Sequence, residues 1–516
     1  MPPAPRRPLT SLCLATALAA GACSGPDAPA DGSAGRTITI VSPSAPTDLD
    51  PYSCTGAPDQ NILGAAYDTL LRLAPDGTVH PSLATSWHYR SPVRFDLQLR
   101  TGVTFADGTP LDAQAVKRNL DRAGISSGAA TADFAVAVQS IETDGPTRVV
   151  ITLNRPYPDL PATLAGCGGM IVNPERLVIP EALASTVDGS GPYTYDAALS
   201  TPGTRYVFHR RKDYWDHDAY PFENAVFQVL PDIDAGYDAL AAGRVDIATG
   251  SSAAVPKAAR AGLESTRGQG AYYLVNLLDR DGTRVPALKD VRVRRALNYA
   301  VDRSAIDSAL FGGAARPTVQ IVPPTAQGYD AALDDAYPHD AAKARQLLTQ
   351  AGYPNGFTLQ VLTTGSFKCD VVLHAVVPAW AAIGVKVEEV VKPYDEYLQS
   401  LASRVYPAVV LPTQGTPPYT ALVENFGERS RRNPFRSTDP AFTAALRQAQ
   451  DATSPKAAAG LRDMSARLID QAWYVGVGFV TVTWFYDPKK VTTRGGEDGG
   501  SGPRLQDWQP AQNAPR

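Results

Sequence analysis

The sequence predicts an α/β protein in which helices cover a mainly parallel sheet. Some segments alternate apolar and polar residues, as half-buried strands do, whereas others space their apolar residues three and four positions apart, as helices do. From Asp340 onward these helical and strand patterns follow one another in turn. That alternation is typical of parallel strands joined by covering helices.

Five segments have strand character. Isoleucine alternates with threonine in the first, at 36–42, and phenylalanine and leucine alternate with polar residues in the second, at 94–100. We expect Asp96 and Gln98 in that second strand to face outward, because successive side chains of a strand point to opposite faces. The other predicted strands are 148–153, 357–364 and 385–391.

Four segments have helical spacing. The longest, at 290–313, is predicted to be one amphipathic helix that Asp290 caps and the pair Gly312-Gly313 ends. Its core-facing residues are Val293, Leu297, Ala300 and Val301. The other predicted helices are 111–123, 341–352, which stops at Gly352, and 370–384, in which Pro378 introduces a kink or a break.

The start of the chain has the pattern of an export signal. Arg6 and Arg7 precede an apolar run at 9–20. With roughly a dozen residues, this run is too short to cross a bilayer as a helix. Small residues and Cys23 follow it. A basic region, a short apolar region and a small-residue cleavage site are the three parts of a secretory signal.

The cysteine at the end of this signal resembles the lipidated cysteine of a lipobox. We expect residues 1–22 to be a signal peptide, Cys23 to carry lipid, and residues 23–35 to form a flexible tether rich in glycine, proline and alanine. A plain cleaved signal is the alternative, because Ala20 stands where a lipobox usually has leucine. The export route, Sec or twin-arginine, stays open.

Composition indicates a globular protein. The chain has 516 residues, of which 44% are hydrophobic and 19% charged, with a formal net charge of −4. No basic patch stands out, so nucleic acid is not an expected partner. Cys54, Cys167 and Cys369 remain after the signal, and in an oxidising compartment two of them can pair. Cys54–Cys167 is the favoured disulfide, because both residues lie in loops containing glycine and proline.

No sequence motif indicates catalysis. The chain lacks G-x-S-x-G, H-E-x-x-H and the P-loop pattern, and its six histidines are scattered. The acidic segment DYWDHD at 213–218 could hold a metal, but a solvated turn after a Tyr-Trp anchor is the favoured interpretation. The chain is therefore not expected to be an enzyme, and no metal or cofactor is predicted.

Six segments, in chain order, carry a family resemblance. They are 81–122 (beginning PSLATSW), 189–196 (GSGPYTYD), 210–216 (RRKDYWD), 238–250 (DALAAGRVDIATG), 290–303 (DVRVRRALNYAVDR) and 342–357 (AKARQLLTQAGYPNGF). Together they resemble the signatures of the bacterial extracellular solute-binding proteins of family 5, the oligopeptide-, dipeptide- and nickel-binding components of ABC importers. Ala115 stands where the family usually has aspartate, and Arg244 where it has glutamate.

The resemblance implies a two-lobed periplasmic-binding-protein-like fold of type II, cluster C, with an extra subdomain inserted in the N-terminal lobe. Lobe I would hold 36–70, 195–262 and 470–516, the inserted subdomain 71–194, and lobe II 265–469. Two hinge strands would join the lobes, and a solute would bind between them. The expected protein is a monomer that closes on its solute and docks on a membrane permease, which an ATPase drives.

By the same resemblance, the expected function is capture and delivery of a peptide or peptide-like solute. A ligand-sensing receptor on this fold is the alternative, followed by an exported hydrolase. Family position suggests ten ligand-contacting residues near strand ends, where α/β clefts collect ligands. They are Tyr52, Thr249, Gly250, Asn276, Ser366, Phe367, Lys368, Thr413, Gln414 and Tyr419.

One departure from the peptide-binding relatives bears on the ligand. These relatives commonly carry an aspartate in lobe II that can pair with a peptide's free amine. Here the neutral run TQGT at 413–416 stands in that place. Amides and hydroxyls suit a neutral, polar or N-blocked ligand better than a free ammonium.

Overall fold

Two long strands run side by side through the middle of an eleven-stranded mixed sheet. The computed structural model describes residues 36–74, 77–126, 128, 131–413, 417–495 and 502–511. The strands of this part are β1 (Thr37–Ser42), β2 (Leu71–Leu73), β3 (Val79–Pro81), β4 (Ala84–Ser91), β5 (Arg94–Leu99), β6 (Val138–Thr143), β7 (Arg148–Leu153), β8 (Tyr193–Tyr195), β9 (Arg205–Arg210), β10 (Asn224–Val229), β11 (Ile247–Gly250), β12 (Glu264–Leu277), β13 (Arg316–Pro317), β14 (Thr358–Thr363), β15 (Lys386–Val391), β16 (Ala408–Thr413), β17 (Tyr474–Tyr486), β18 (Val491–Thr493) and β19 (Trp508–Pro510).

Helices pack against the sheet in both lobes. They are α1 (Ala57–Leu63), α2 (Ala113–Ala123), α3 (Ala132–Ala137), α4 (Leu160–Leu164), α5 (Pro174–Leu177), α6 (Pro180–Leu183), α7 (Ile233–Ala241), α8 (Val255–Arg260), α9 (Val291–Tyr299), α10 (Arg303–Ile306), α11 (Ala341–Gln350), α12 (Cys369–Ala381), α13 (Tyr394–Ser400), α14 (Pro418–Phe426), α15 (Pro440–Ala449) and α16 (Ala457–Asp470). None of the helices in the described ranges is long and apolar enough to cross a membrane.

The sheet is mixed rather than mainly parallel. Its order is β15-β14-β16-β12-β17-β11-β1-β10-β9-β8, with β13 paired to β17. The predicted parallel pairing is present on each side of the central pair, where β14 lies parallel to β15 and β16, and β1 lies parallel to β10 and β11. The sheet is mixed because β12 and β17 run antiparallel to their neighbours, as do β8, β9 and β10 at one end.

β12 and β17 are the hinge strands, because each of them belongs to both lobes. The first part of β12, from Glu264 to Gln269, pairs with the end of β17, which also pairs with β11 of lobe I. The second part, from Tyr272, pairs with β16 of lobe II. The register between β12 and β17 shifts between Gln269 and Tyr272 and again between Tyr273 and Leu274. These bulges mark where the strands pass from one lobe to the other.

The pairing and burial of the hinge strands bear on where the lobes meet. Residues 265–268, expected in lobe II, pair with the end of β17 that also pairs with β11. Trp473, Tyr474 and Phe479, expected in lobe I, are buried in the same core as Tyr272 and Leu274 of β12. A strand that continues through two lobes has no turn or composition change at the crossing, and we propose that the lobes meet within β12 and β17.

Lobe II has a separate apolar core on each face of the sheet. Tyr273, Val275 and Leu277 of β12 point into one core, with α9 and α12, while Tyr272 and Leu274 point into the other, with α14 and α16. This alternation follows from the two-residue period of a strand. The hinge strands are therefore held from both sides in lobe II.

The inserted subdomain has its own antiparallel sheet, ordered β4-β5-β7-β6, but shares a core with lobe I. One continuous cluster runs from Phe95 and Leu97 of the subdomain to Phe208 and Phe227 of the main sheet. The two parts are therefore expected to move as one body. A disulfide between Cys54 and Cys167, the pair favoured by the sequence, joins the loop after β1 to the subdomain, and Cys369 is a buried free thiol.

The predicted helix at 290–313 is wrong as a single element. Asp290 caps α9 by accepting from the Arg292 amide at 2.8 Å, and the predicted core residues are buried. The helix stops at Tyr299, however, and Asp302 caps a new helix, α10. The buried Arg303 explains the break, because its guanidinium donates to backbone carbonyls of β17 and of the chain near Tyr337.

Asp96 also departs from its predicted outward orientation. It is 2% exposed and forms ion pairs with Arg90 at 2.8 Å and Arg148 at 2.5 Å. The two arginines supply the charge that allows a carboxylate to be buried. Pro378, in contrast, lies inside α12, which continues from Cys369 to Ala381.

We predict that Gly478→Ala destabilises the hinge. Gly478 lies in β17 with φ 149°, and a Cβ added there would lie 2.5 Å from the carbonyl oxygen of Arg316 in β13. The clash adds to the backbone strain, so the free energy of unfolding should fall by about 2–3 kcal/mol. Denaturant unfolding measures it.

Gly203→Ala is the control for this change. Gly203 also has a positive φ, 84°, but a Cβ there meets nothing within 4 Å. Its loss of about 1 kcal/mol would report backbone strain alone. Equal losses in the two variants would contradict a close approach of β13 to the hinge.

Candidate functional site

The carboxyl ends of the strands in both lobes face the hinge. In lobe I, Gly250 at the end of β11 pairs with Thr483, the part of β17 nearer to the crossing. In lobe II, Thr413 at the end of β16 pairs with Tyr272, directly beside the bulges of β12. The cleft between the lobes is therefore bordered by strand ends on both sides. Such edges collect ligands in α/β proteins, because loops there expose backbone groups and polar side chains.

The lobe II edge contains a strained segment. After β14 the chain passes through Ser366, Phe367 and Lys368 before α12 begins. Phe367 and Lys368 are both in the left-handed region, at φ 54° and 55°. This conformation is uncommon for residues other than glycine, and two in succession cost free energy that the surroundings must offset. Strain of this kind is concentrated at ligand-binding sites.

Contacts with the hinge hold this segment in place. The hydroxyl of Tyr273 in β12 donates to the carbonyl of Phe367 at 2.7 Å. The Phe367 ring packs edge-on against Tyr394, with 5.3 Å between ring centroids, yet remains 49% exposed. The exposed Lys368 follows it. An aromatic ring and a cation are thus presented at the edge of lobe II.

The lobe I edge is built from β11 and the turn after it. Thr249 and Gly250 are half-buried, and a Cβ on Gly250 would lie 2.8 Å from the Phe485 ring, so close packing against β17 favours glycine there. Ser252, next along the chain, shares a hydrogen bond with Thr483 at 2.6 Å. This bond ties the loop after β11 to a hinge strand.

Three of the predicted ligand residues have mainly structural surroundings. Tyr52 is 2% exposed, and its hydroxyl donates to Asn119 at 2.8 Å and to the Met170 carbonyl at 3.1 Å. Asn276 is fully buried and donates to two backbone carbonyls of lobe II. Thr413 is 9% exposed. Gln414 lies outside the described residues.

Tyr419 lies where the inserted subdomain contacts lobe II. Burial raises the pKa of its phenol to about 12, and the nearby Asp159 of the subdomain adds to the effect. Beside it, the backbone N–H of Thr420 donates to Oδ2 of Asp159 at 2.7 Å. This hydrogen bond joins residues 261 positions apart and crosses from one lobe to the other.

Asp159, which contacts α14 beside Tyr419, was not among the residues that the sequence suggested. It directly precedes α4, so the local pattern indicates an ordinary helix cap. The structure shows that its side chain does not cap α4. Because its partner is remote in sequence, no local signal distinguishes it from a helix-capping aspartate.

A cavity of about 260 Å³ lies elsewhere, between lobe I and the subdomain. Arg72, Arg100 and Arg504 line it, with Tyr214 and Trp215. No lining residue belongs to lobe II, so closure of the lobes cannot enclose a ligand there. Tyr214 and Trp215 donate to Asp68 at 2.7 and 3.0 Å, which gives the Tyr-Trp pair of the acidic segment a structural role. Within the described ranges no group of three or more His, Cys, Asp or Glu side chains could hold a metal.

Comparison with solved structures supports the two-lobed fold. HbpA2 from Haemophilus parasuis superposes with a TM-score of 0.80 at 22% identity, covering 92% of this chain and 99% of that one. DppA from Helicobacter pylori in complex with the peptide STSA superposes with a TM-score of 0.71 at 21% identity, covering 92% and 98%. At these low sequence identities, the structural similarity shows the fold alone.

Sequence comparison identifies the family. The glutathione-binding protein GsiB of Escherichia coli O157:H7 is 27% identical over 394 residues, 74% of this chain and 73% of the relative. The heme-binding protein A of Haemophilus influenzae is 27% identical over 404 residues, 71% and 72%. The family model described as "Bacterial extracellular solute-binding proteins, family 5 Middle" matches residues 78–430. The chain belongs to the bacterial extracellular solute-binding proteins of family 5.

Proposed function

We propose that the protein captures a peptide or peptide-like solute between its lobes, without converting it, and delivers it to the permease of an ABC importer. The observation that carries this proposal is the pair of hinge strands that brings the carboxyl edges of both lobes to one cleft. A solute that contacts both edges favours the closed state, because only differential contacts shift a conformational equilibrium. Family 5 proteins are solute-binding proteins, which supports a binder rather than an enzyme.

The relatives support a peptide-like solute. Among similar structures are DppA with the peptide STSA, a dipeptide-binding protein with Met-Leu, and the murein tripeptide-binding protein MppA. Others with the same fold are described with agropinic acid or Fe(III)-EDTA. The fold alone therefore does not select the solute, and the argument for a peptide rests on this frequency and on the neutral polar sequence at 413–416.

The first experiment is native mass spectrometry of the purified protein, which detects a retained solute and gives its mass. A peptide or peptide-like mass, released unchanged on denaturation, supports the proposal. A retained metal chelate or a hydrolysed product would contradict it.

We predict that blocking the amine of a bound peptide costs little affinity. The run at 413–416 offers no carboxylate, Glu424 lies 3.9 Å from Arg432, and Asp159 accepts from the backbone of α14. An enclosed ammonium without a counter-charge would lose solvation worth several kcal/mol. Calorimetry should therefore give similar or tighter binding for the N-acetylated form of the same peptide. A loss of a hundredfold, about 2.7 kcal/mol, would show that some acid of the cleft reads the amine.

We further predict that Lys368→Asn lowers the affinity for the solute without lowering the stability of the protein. Asparagine tolerates the left-handed conformation better than lysine, so the free energy of unfolding should stay the same or rise by up to about 1 kcal/mol. Loss of the cation at the cleft edge should lower affinity for an anionic or carbonyl-rich solute at least about fivefold, roughly 1 kcal/mol. Unfolding and calorimetry on the same preparation test both parts.

The matched control is Lys212→Asn, which removes the same charge from an exposed site in lobe I. It should leave affinity unchanged. Equal binding by the Lys368 variant and the natural protein would remove Lys368 from the site.

We propose in addition that the mature protein is a monomer held at the membrane surface by lipid on Cys23. The support is the short apolar run that ends at this cysteine and the polar tether at 23–35. Both lie outside the described residues. We predict that Cys23→Ala moves the protein from the membrane fraction to the soluble fraction or the medium. If the variant stays with the membrane and the natural protein carries no lipid by mass spectrometry, the anchor is excluded.

A further inference from the structure

The bond between Asp159 and α14 is an unusual way to begin a helix. Pro417 stands at the N-cap position of α14 and contributes no side-chain hydrogen bond, and Pro418 at the first position has no N–H. The first available donors are the N–H groups of Tyr419 and Thr420. Asp159, from the inserted subdomain, accepts from Thr420 at 2.7 Å.

Asp159 therefore supplies from one lobe the cap that a helix of the other lobe lacks. A carboxylate at a helix N-terminus satisfies otherwise unpaired N–H groups and interacts favourably with the helix dipole. When the lobes separate, α14 loses this partner and Asp159 returns to water. The hydrogen bond thus exists only while the subdomain and lobe II are in contact.

We propose that Asp159 is the positioning residue of lobe closure: the inserted subdomain docks on lobe II by capping α14, and protonation of this carboxylate favours the docked state. The inference rests on the hinge closure proposed above. It adds a specific contact point, distinct from the solute, and a sensitivity of closure to acidity.

The charges around Asp159 support the proposal that its protonation favours docking. From the subdomain, Asp133 of α3 and Arg155 face the contact, and these two pair at 3.6 Å. From lobe II, Tyr419 and Glu424 of α14 face it, and Glu424 lies 3.9 Å from Arg432. Each arginine thus lies within ion-pair distance of an acid of its own lobe. Among the described residues, Asp159 has no ion pair.

Closure consequently brings three carboxylates together with two arginines. Burial raises the pKa of Asp159 to about 6, with Asp133 adding to the effect and hydrogen bonds from Thr420 and Tyr419 opposing it. Burial also raises the pKa of Glu424, and the neighbouring Asp133 contributes. Separation of the lobes would expose Asp159 and Glu424 to water, where carboxyl pKa values are ordinary.

The sign of the pH effect follows from this difference. The closed form binds protons more tightly than the open form, so closure takes up protons and becomes easier as the pH falls through about 6. The effect is small well above pH 6 and is complete below the ordinary pKa of 3.8. For Asp159 alone, a pKa that rises from 3.8 to about 6 limits the change in the closing equilibrium to about a hundredfold.

Two substitutions at Asp159 separate the hydrogen bond from the charge. Asp159→Asn keeps an oxygen that can accept from Thr420 but carries no charge. Asp159→Ala removes both. Asp218→Asn is the matched control, because Asp218 is a fully exposed acid in lobe I.

The experiment is solution X-ray scattering of the full mature protein, freed of retained solute, at pH 7.5 and pH 5.5. We expect the natural protein and the Asp218 variant to contract at the lower pH. Asp159→Asn should be the more compact at pH 7.5 and change less with pH, whereas Asp159→Ala should be expanded at both. Melting temperatures establish that each variant is folded.

The outcomes distinguish this inference from the proposed function. If the natural protein contracts when the solute identified by mass spectrometry is added, but Asp159→Asn and Asp159→Ala both match it at each pH, the Asp159 inference is wrong and hinge closure stands. If the natural protein contracts with neither solute nor acid, hinge closure itself fails, and this inference fails with it.

Discussion

The antiparallel pairing of β12 with β17 is the interaction on which the rest of the structure depends. These strands have 14 and 13 residues, and each belongs to both lobes. Their ladder joins the strands of the two lobes into one mixed sheet and fixes which edges of the lobes face each other. The bulges between Gln269 and Leu274 interrupt the ladder at the crossing, where a change of backbone angle disturbs the fewest hydrogen bonds.

Rigid bodies on each side of this hinge make a localised motion possible. Two cores enclose the hinge strands in lobe II, and a continuous core with a disulfide joins the inserted subdomain to lobe I. The subdomain therefore extends the reach of lobe I as far as α14. Asp159 can therefore contact lobe II when the lobes are closed, although the hinge strands lie more than a hundred residues further along the chain.

Much of the fold could be predicted from the sequence, because strands, caps and turns leave local patterns. Asp290 at a cap and Gly352 at a helix end with φ 89° are examples. The break at Asp302 was missed, since it depends on a buried arginine that contacts β17. A lobe border within a continuous strand such as β12 has no local signal in the sequence.

The site was less predictable than the fold for the same physical reason. Strand-end position suggested Phe367 and Lys368 as ligand-contacting residues but did not indicate their left-handed backbone. It did not reveal that Tyr52 and Asn276 are buried among fixed partners, or that Asp159 reaches another lobe. Those facts depend on contacts between residues far apart in sequence, which periodicity and turn chemistry do not encode.

The central claim is that solute binding closes two lobes about β12 and β17. Solution scattering with and without the solute identified by mass spectrometry tests it most directly. The account predicts a smaller radius of gyration at saturation and recovery of the larger value when the solute is removed. An unchanged radius of gyration, with binding established by calorimetry in the same samples, would contradict it.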